Sequence, residues 1–269
     1  MLKVIKPSEK PLVTVFVPLT REWALDRFLP SLDNLEMPWL GTEVYFYIDT
    51  DNQNIINRTT AFLEERKDKF NGSKILISGN PAPTNTRISI QRNRIIEMKE
   101  RSKKDIKGSY VFGIEDDTLV PPNAFRKMYD DFQLDYNVGY IEGVQVGRHG
   151  IKMAGVWKVD DLRNPTIQKT LEPPKYESLE PITGGGFYCY LTLAYLYQNI
   201  KYRFFAECFG PDVCYVMDVL KEGYKAYVNW TIKTIHITPK QDLLVDGKIV
   251  SVVWKKDKNG WQLQPYHIK

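Results

Sequence analysis

Between Ser109 and Asn123 the chain reads Ser-Tyr-Val-Phe-Gly-Ile-Glu-Asp-Asp-Thr-Leu-Val-Pro-Pro-Asn: an apolar run, three consecutive carboxylates, then a Pro-Pro step. A run so short and so apolar predicts a strand buried on both faces, and proline at a first turn opens a helix behind it. Glu115, Asp116 and Asp117 repel one another where that strand ends. A chain that needed only to fold would not gather them at the mouth of its sheet. A positive partner must neutralise them, and a divalent cation is the obvious candidate.

The stretches before this strand alternate in period. Leu12–Pro18 is a short apolar run closed by proline, and Leu25, Phe28, Leu29, Leu32 and Leu35 follow at helical spacing around Pro30. Glu43–Ile48 predicts a second strand that ends at Asp49-Thr50-Asp51. Residues 54–70 suit an amphipathic helix, Lys74–Ile77 a third strand, Thr86–Ser102 a further helix, and Tyr110–Ile114 the strand that delivers the acids. This β-α repetition predicts an α/β fold whose largely parallel central sheet carries helices on both faces. In such sheets ligands sit outside the carboxyl ends of the strands. Asp49, Asp51 and the triplet at 115–117 all fall on that edge.

The second half changes character. Val138–Val146 and Met153–Val159 read as strands, and 160–181 as a long charged loop of the kind that covers a site. Gly184-Gly185-Gly186 leads into an aromatic strand. It lacks the spacing of a dinucleotide fingerprint, which excludes a Rossmann dehydrogenase. Gly210-Pro211-Asp212 opens a helix with Val213, Val216, Val219 and Leu220 on its apolar side, closed by Gly223. Ala226–Val228 and Thr231–Ile237 are short strands, the latter carrying His236. Leu243–Trp254 reads as a hairpin turning on Asp246-Gly247, and Asn259-Gly260 offers a second turn.

Composition narrows the class. With 269 residues, 43% hydrophobic and 13% aromatic, the chain buries a full core and is neither disordered nor fibrous. A net charge of +4 tolerates an anionic substrate or a membrane surface but does not argue for nucleic acid. Cys189, Cys208 and Cys214 have no CxxC spacing and read as reduced core thiols of a cytoplasmic protein. No run of about 18 apolar residues predicts a membrane span, and the first residues do not form a signal peptide. Tyr188, Tyr190, Tyr202, Phe204 and Phe205 are core candidates, with one or two free to stack on a sugar or base.

Over roughly residues 11–237 the chain resembles the GT-A fold glycosyltransferases, particularly those like family 2. Four stretches carry the resemblance: Glu115-Asp116-Asp117 through Ala124, Val17-Pro18-Leu19-Thr20-Arg21, Gln91-Arg92-Asn93, and Phe209-Gly-Pro-Asp212 through Ala226. Two departures stand out. Glu115 replaces the first Asp of the family's acid cluster, and Pro211 replaces the Glu of its Gly-Glu-Asp helix. The resemblance implies a single domain over 1–269, with a nucleotide-sugar-binding half (11–117), an acceptor-binding half (118–237) and a C-terminal hairpin and tail (238–269). It implies metal-dependent transfer of a sugar from a nucleotide diphosphate sugar, a UDP-sugar being favoured, to an acceptor hydroxyl.

The same resemblance distributes roles. Asp117 and His236 would hold Mn2+ or Mg2+, while Glu115 and Asp116 share donor and metal contacts. Thr20 and Arg21 belong to the nucleotide loop, Asp49 to the base, and Arg92 to the donor phosphates. Asp212 would be the general base of an inverting reaction, although the donor site is compatible with retention. On their own terms, Asp212 could be a dipole-stabilised helix acid and His236 a core histidine. Gly185 and Gly186 permit backbone approach to the donor sugar or acceptor, or form a tight turn. The acceptor expected first is a glycan, a glycolipid or lipid-linked sugar. Second comes a hydroxymethylated DNA base, whose phosphates Lys248, Lys255, Lys256 and Lys258 would track. A nucleotidyltransferase is disfavoured by the glycine-free Pro18-Leu19-Thr20-Arg21-Glu22, and a catalytically silent sugar-nucleotide-binding module is the non-enzymatic rival.

Overall fold

The structure, a computed structural model, describes residues 10–80, 87–146, 155–163, 165–166, 168–172, 174, 179–205, 209–237, 243–245, 248–250, 252–257 and 260–265. His149, Cys208, His267, Lys258 and the turn residues Asp246, Gly247 and Asn259 lie outside them.

The first half follows the alternation of its apolar residues. In chain order it runs β1 (Val13–Leu19), α1 (Leu25–Asp33), β2 (Thr42–Ile48), α2 (Gln53–Glu65), β3 (Gly72–Ile77), α3 (Ile88–Ser102) and β4 (Tyr110–Ile114). β1 pairs in parallel with both β2 and β4, and β2 with β3. Successive residues of each strand point to opposite faces, and the two faces have separate cores. Val13, Val15, Val17, Phe46 and Phe112 pack with Phe28 and Leu32 of α1 and Phe62 of α2. Phe16, Tyr45, Tyr47 and Val111 pack on the other face with Met98 of α3. Helices therefore cover both sides, and β1 and β2 read as nearly unbroken apolar runs.

Beyond the acids come β5 (Thr118–Leu119), α4 (Ala124–Phe132), β6 (Val138–Val146), β7 (Trp157–Val159), β8 (Gln168–Thr170), β9 (Leu179–Pro181) and β10 (Cys189–Leu193). They are followed by α5 (Ala194–Asn199), α6 (Pro211–Lys221), β11 (Lys225–His236), β12 (Leu243–Val245), β13 (Lys248–Val250), β14 (Val252–Asp257) and β15 (Gly260–Pro265). One sheet of nine strands runs β3-β2-β1-β4-β10-β6-β11-β5, with β9 also on β11. β10 is antiparallel to both β4 and β6, and β11 is parallel to β6. Thus β1, β2, β3, β4, β6 and β11 all point one way, and the sheet is largely parallel as expected.

The segment 160–181, expected as a loop, contains strands. β8 pairs with β7, and β9 adds to β11. Each is three residues long, too short for any period to show in sequence. Both tail hairpins form, β12 with β13 and β14 with β15, each as a sheet of its own. Among the described residues no helix is long and apolar enough to cross a membrane.

Candidate active site

The acids at the end of β4 are held in place by two strands. Glu115 donates its N–H to Tyr188 O at 3.1 Å and accepts at its carbonyl from Thr118 N at 3.1 Å, which turns the chain. β5 then pairs antiparallel with the end of β11, setting Thr118 opposite His236. The Ile237 N–H closes on Asp117 O at 2.8 Å. This short ladder brings together two residues 119 positions apart: His236 Nε2 lies 3.2 Å from Asp117 Oδ2.

Asp116 is wholly buried, and its carboxylate accepts from three donors. Oδ2 accepts from Thr20 N at 2.6 Å and Arg21 N at 2.8 Å, and Oδ1 accepts from Arg21 Nη1. Arg21 Nε also lies 3.2 Å from Asp117 Oδ2. Burial, with the neighbouring Asp117, raises the pKa of Asp116 above the usual carboxylate value, against the pull of Arg21 and the two amides. Burial also opposes the charge on Arg21, yet Asp116, Asp117 and Glu115 together raise its pKa. All three partners of Asp116 are donors and one is a guanidinium, the set that suits an ionised carboxylate. So Thr20 and Arg21 do meet the acid cluster. An arginine supplies part of its neutralisation, one guanidinium shared by two carboxylates.

A divalent cation can be weighed against this geometry. Ligands that sit side by side on one ion, at bonds of about 2.1 Å, are about 3 Å apart. Asp117 Oδ2 and His236 Nε2 stand at that separation. Carboxylate with imidazole is a donor set that Mn2+ accepts. Among the described residues no group of three His, Cys, Asp or Glu gathers as a metal site. The protein therefore offers two ligands, and cations of this kind complete their shell with water and substrate phosphate. The residues fit on those terms, with Arg21 yielding Asp117 and keeping Asp116.

Asp49, at the end of β2, is buried and its acceptors are largely taken. Oδ1 accepts from Ser78 Oγ at 2.7 Å and Asn80 Nδ2 at 2.9 Å, and Oδ2 from Arg94 Nε at 2.8 Å. Burial disfavours its charge, but these bonds win and hold its pKa below the usual carboxylate value. Arg94 also donates to the Asp49 carbonyl at 2.8 Å. Nothing in the sequence marks Arg94 above Arg92, since both lie in the same polar helix.

Asp212 and Arg92 converge on Gly210, the residue before α6. A Cβ built there would stand 2.5 Å from Asp212 Oδ1 and 4.0 Å from Arg92 Nε. With Pro211 and Asp212 in its first turn, α6 puts this carboxylate at the positive end of a helix dipole. Gly185 and Gly186 are buried beneath. The space a side chain would take at Gly185 is filled by the Glu142 carboxyl, and at Gly186 by the Tyr188 ring. Tyr188, Tyr190 and Tyr202 are core residues, while Phe205 is exposed.

Glu142 and Lys99 are among the buried ionisable groups that the sequence does not single out. Glu142 lies on β6, and burial raises its pKa well above the carboxylate range. Its signal was present: a lone acid at an inward position of an apolar strand. Lys99 of α3 is 2% exposed and donates to Tyr190 Oη at 2.7 Å. It sits among charged neighbours on a polar helix, and no pattern distinguishes it from a solvated lysine.

No family model and no curated protein sequence matches the chain. Solved structures do. A mannosyltransferase from Pyrobaculum calidifontis, in complex with GDP-Man and Mn2+, is similar over 85% of this chain and 57% of its own, with 14% identity and a TM-score of 0.56. TarS 1–349 from S. aureus is similar over 80% of this chain and 57% of its own, with 14% identity and a TM-score of 0.50. A197 from STIV covers 96% of each chain at 15% identity and a TM-score of 0.49. This chain spans little more than half the length of the first two. The likeness is one of fold: the chain has the GT-A architecture, an α/β domain with one curled central sheet.

Proposed function

We propose that this chain is a metal-dependent glycosyltransferase, similar to family 2, that moves a sugar from a nucleoside diphosphate donor to an acceptor hydroxyl. The observation that carries the reading is the pairing of Asp117 with His236 at 3.2 Å at the carboxyl edge of the sheet, where ligands of such sheets bind. The GDP-Man and Mn2+ bound by the mannosyltransferase of like fold support a nucleotide sugar and a divalent ion in general. A UDP-sugar is the donor we favour, with Asp49 and its partners near the base and Arg92 near the phosphates.

Asp117 and His236 would hold Mn2+ or Mg2+, which when bound offsets the charge that builds on the departing diphosphate. Asp116 fixes the Thr20–Arg21 loop through its two amide bonds, so Arg21 is kept at the donor end. Asp212 takes the proton of the acceptor hydroxyl as its oxygen bonds to the anomeric carbon. The bond from that carbon to the diphosphate breaks, and its electron pair leaves with the nucleotide. One base behind the sugar suffices for inversion. The acceptor we favour is a glycan or lipid-linked sugar.

Melting curves with nucleotide sugars, with and without Mn2+, test the reading. A donor that binds the native state must raise the melting temperature. The expected result is a rise with UDP-sugars that requires Mn2+. No rise with any nucleotide sugar, with or without the ion, would overturn it.

A further inference from the structure

Below Asp212 lies a carboxyl group to which the transfer reading gives no task. Glu142 has no exposed surface. Its Oε2 accepts the Gly186 N–H at 2.7 Å and lies 3.0 Å from the Tyr140 hydroxyl. That hydroxyl is also 2.6 Å from the Gly186 carbonyl oxygen. A hydroxyl has one hydrogen and a carbonyl can only accept, so the shorter contact takes it. The contact between Tyr140 and Glu142 is then a hydrogen bond only if Glu142 supplies the proton.

The second carboxyl oxygen points the same way. Glu142 Oε1 is buried and makes no hydrogen bond among the described residues. Half of an ionised carboxylate left bare costs far more than the bare carbonyl oxygen of a neutral acid. Burial favours the neutral form too, and the nearby charge of Asp212 adds to it.

Glu142 also reaches Asp212 through the chain. A Cβ on Gly185 would stand 2.6 Å from Glu142 Oε2, so only glycine lets the backbone lie on that carboxyl. One residue earlier, a Cβ on Gly184 would meet Val213 Cγ1 at 2.9 Å. Val213 directly follows Asp212 in the first turn of α6. Trp157 fastens the turn from outside, its N–H donating to Gly184 O at 2.9 Å.

We propose that Glu142, carried as an uncharged carboxylic acid, is a positioning residue that holds the Gly184–Gly186 turn against α6 and so sets where Asp212 meets the acceptor hydroxyl. The role toward Asp212 rests on the transferase reading; the uncharged state does not.

Glu142→Gln and Glu142→Ala test it together. The Gly186 N–H and Tyr140 Oη both meet Oε2. A glutamine with its oxygen in that place keeps the Gly186 bond, which holds the turn, and gives up only the proton to Tyr140. Glu142→Gln should therefore melt within about 5 °C of wild type, above Glu142→Ala, and keep transfer to within about threefold. Its pH profile of kcat/KM should not move. Glu142→Ala should lose about tenfold or more in kcat at a temperature where it is folded, with the donor KM held, because Asp212 is displaced. An infrared difference spectrum, wild type minus Glu142→Gln at neutral pH, should contain the carbonyl band of a protonated carboxylic acid. A carboxylate band in its place, or a shifted acid limb in the glutamine variant, would show Glu142 ionised and overturn the proposal. So would an alanine variant that melts lower but keeps its kcat. Wild-type protein that transfers from no donor would remove the positioning role along with the transferase reading, and the infrared band would still decide the charge of the acid.

Discussion

The end of β4 and the start of α6 each present an aspartate to the same edge of the sheet, and the two are built in opposite ways. Around Asp116 and Asp117 the neighbours bring positive charge or hydrogen: two amides, the Arg21 guanidinium and the His236 ring. Below Asp212 lies an acid whose surroundings keep it neutral. The first arrangement surrounds carboxylates with donors and positive charge, the setting in which we propose that a cation binds. The second leaves one carboxylate without a charged acid beneath it, which suits a group that must accept a proton and give it up again. Acids grouped on one edge do not reveal their roles; their counter-charges do.

That contrast can be broken at either end. The largest effect is expected from Asp117→Ala, which removes one of the two protein ligands we propose for the cation. Calorimetry with UDP and Mn2+ should show no metal-dependent binding, and transfer should fall below detection. Binding that persists at wild-type strength would move the cation elsewhere. Next comes Asp212→Asn, which should bind UDP and Mn2+ as wild type does but transfer about 10²–10⁴-fold more slowly. A near wild-type rate would show that Asp212 is not the base.

Arg21→Gln sharpens the contrast from the other side. Arg21 is partly exposed, so its pairing is worth less than that of a fully buried ion pair. The variant should lose about 1–2 kcal/mol in urea unfolding without metal. Mn2+ should restore more of the melting temperature than it does in wild type, since the ion then meets no competitor at Asp117. Transfer should fall by no more than about tenfold. Equal metal-free stability of the two proteins would show that Arg21 does not neutralise the cluster.

How much of this was legible in sequence depended on period and on length. β1, β2 and β4 are near-continuous apolar runs closed by proline or acid, and their place in the sheet follows from that. The three-residue strands β8 and β9 leave no period, so 160–181 read as a loop. Asp116, Asp117, Asp212 and His236 could be singled out, and the resemblance put Asp117 with His236, but the partners of Asp116 and Asp49 could not be read. α3 illustrates why. Arg92 and Arg94 are two residues apart, hence about 200° apart around a helix. One turns to Gly210 and Asp212, the other to Asp49, and sequence alone does not say which. Asp116, expected to share the donor and metal contacts, accepts from the loop after β1, partners that its sequence position does not announce.

Lys99 is the group that both sites feel, and the smallest effect on transfer is expected there. Its ammonium nitrogen lies 4.2 Å from the Phe187 ring centre, 4.8 Å from Phe16, 5.0 Å from Tyr190 and 5.4 Å from Tyr197. Burial lowers its pKa to about 7 from the ordinary 10.5, against the pull of Glu115 and Asp212. Between those two values the unfolded chain binds a proton that the folded protein lacks. Stability therefore rises with pH across that window, and the penalty is complete below about 7. Lys99→Met, of similar length and suited to aromatic neighbours, removes the titration. At neutral pH the variant should be more stable than wild type. Its stability should also be flatter through the window, by up to about 1.4 kcal/mol per pH unit, read from urea unfolding at several pH values. UDP and Mn2+ should still bind, and transfer should stay within about threefold, because the charge of Lys99 reaches both carboxylate sites from below without touching substrate. A variant less stable at neutral pH, with an unchanged slope, would mean that Lys99 is charged in the folded protein and that the aromatic rings, with Tyr190, hold it as a cation.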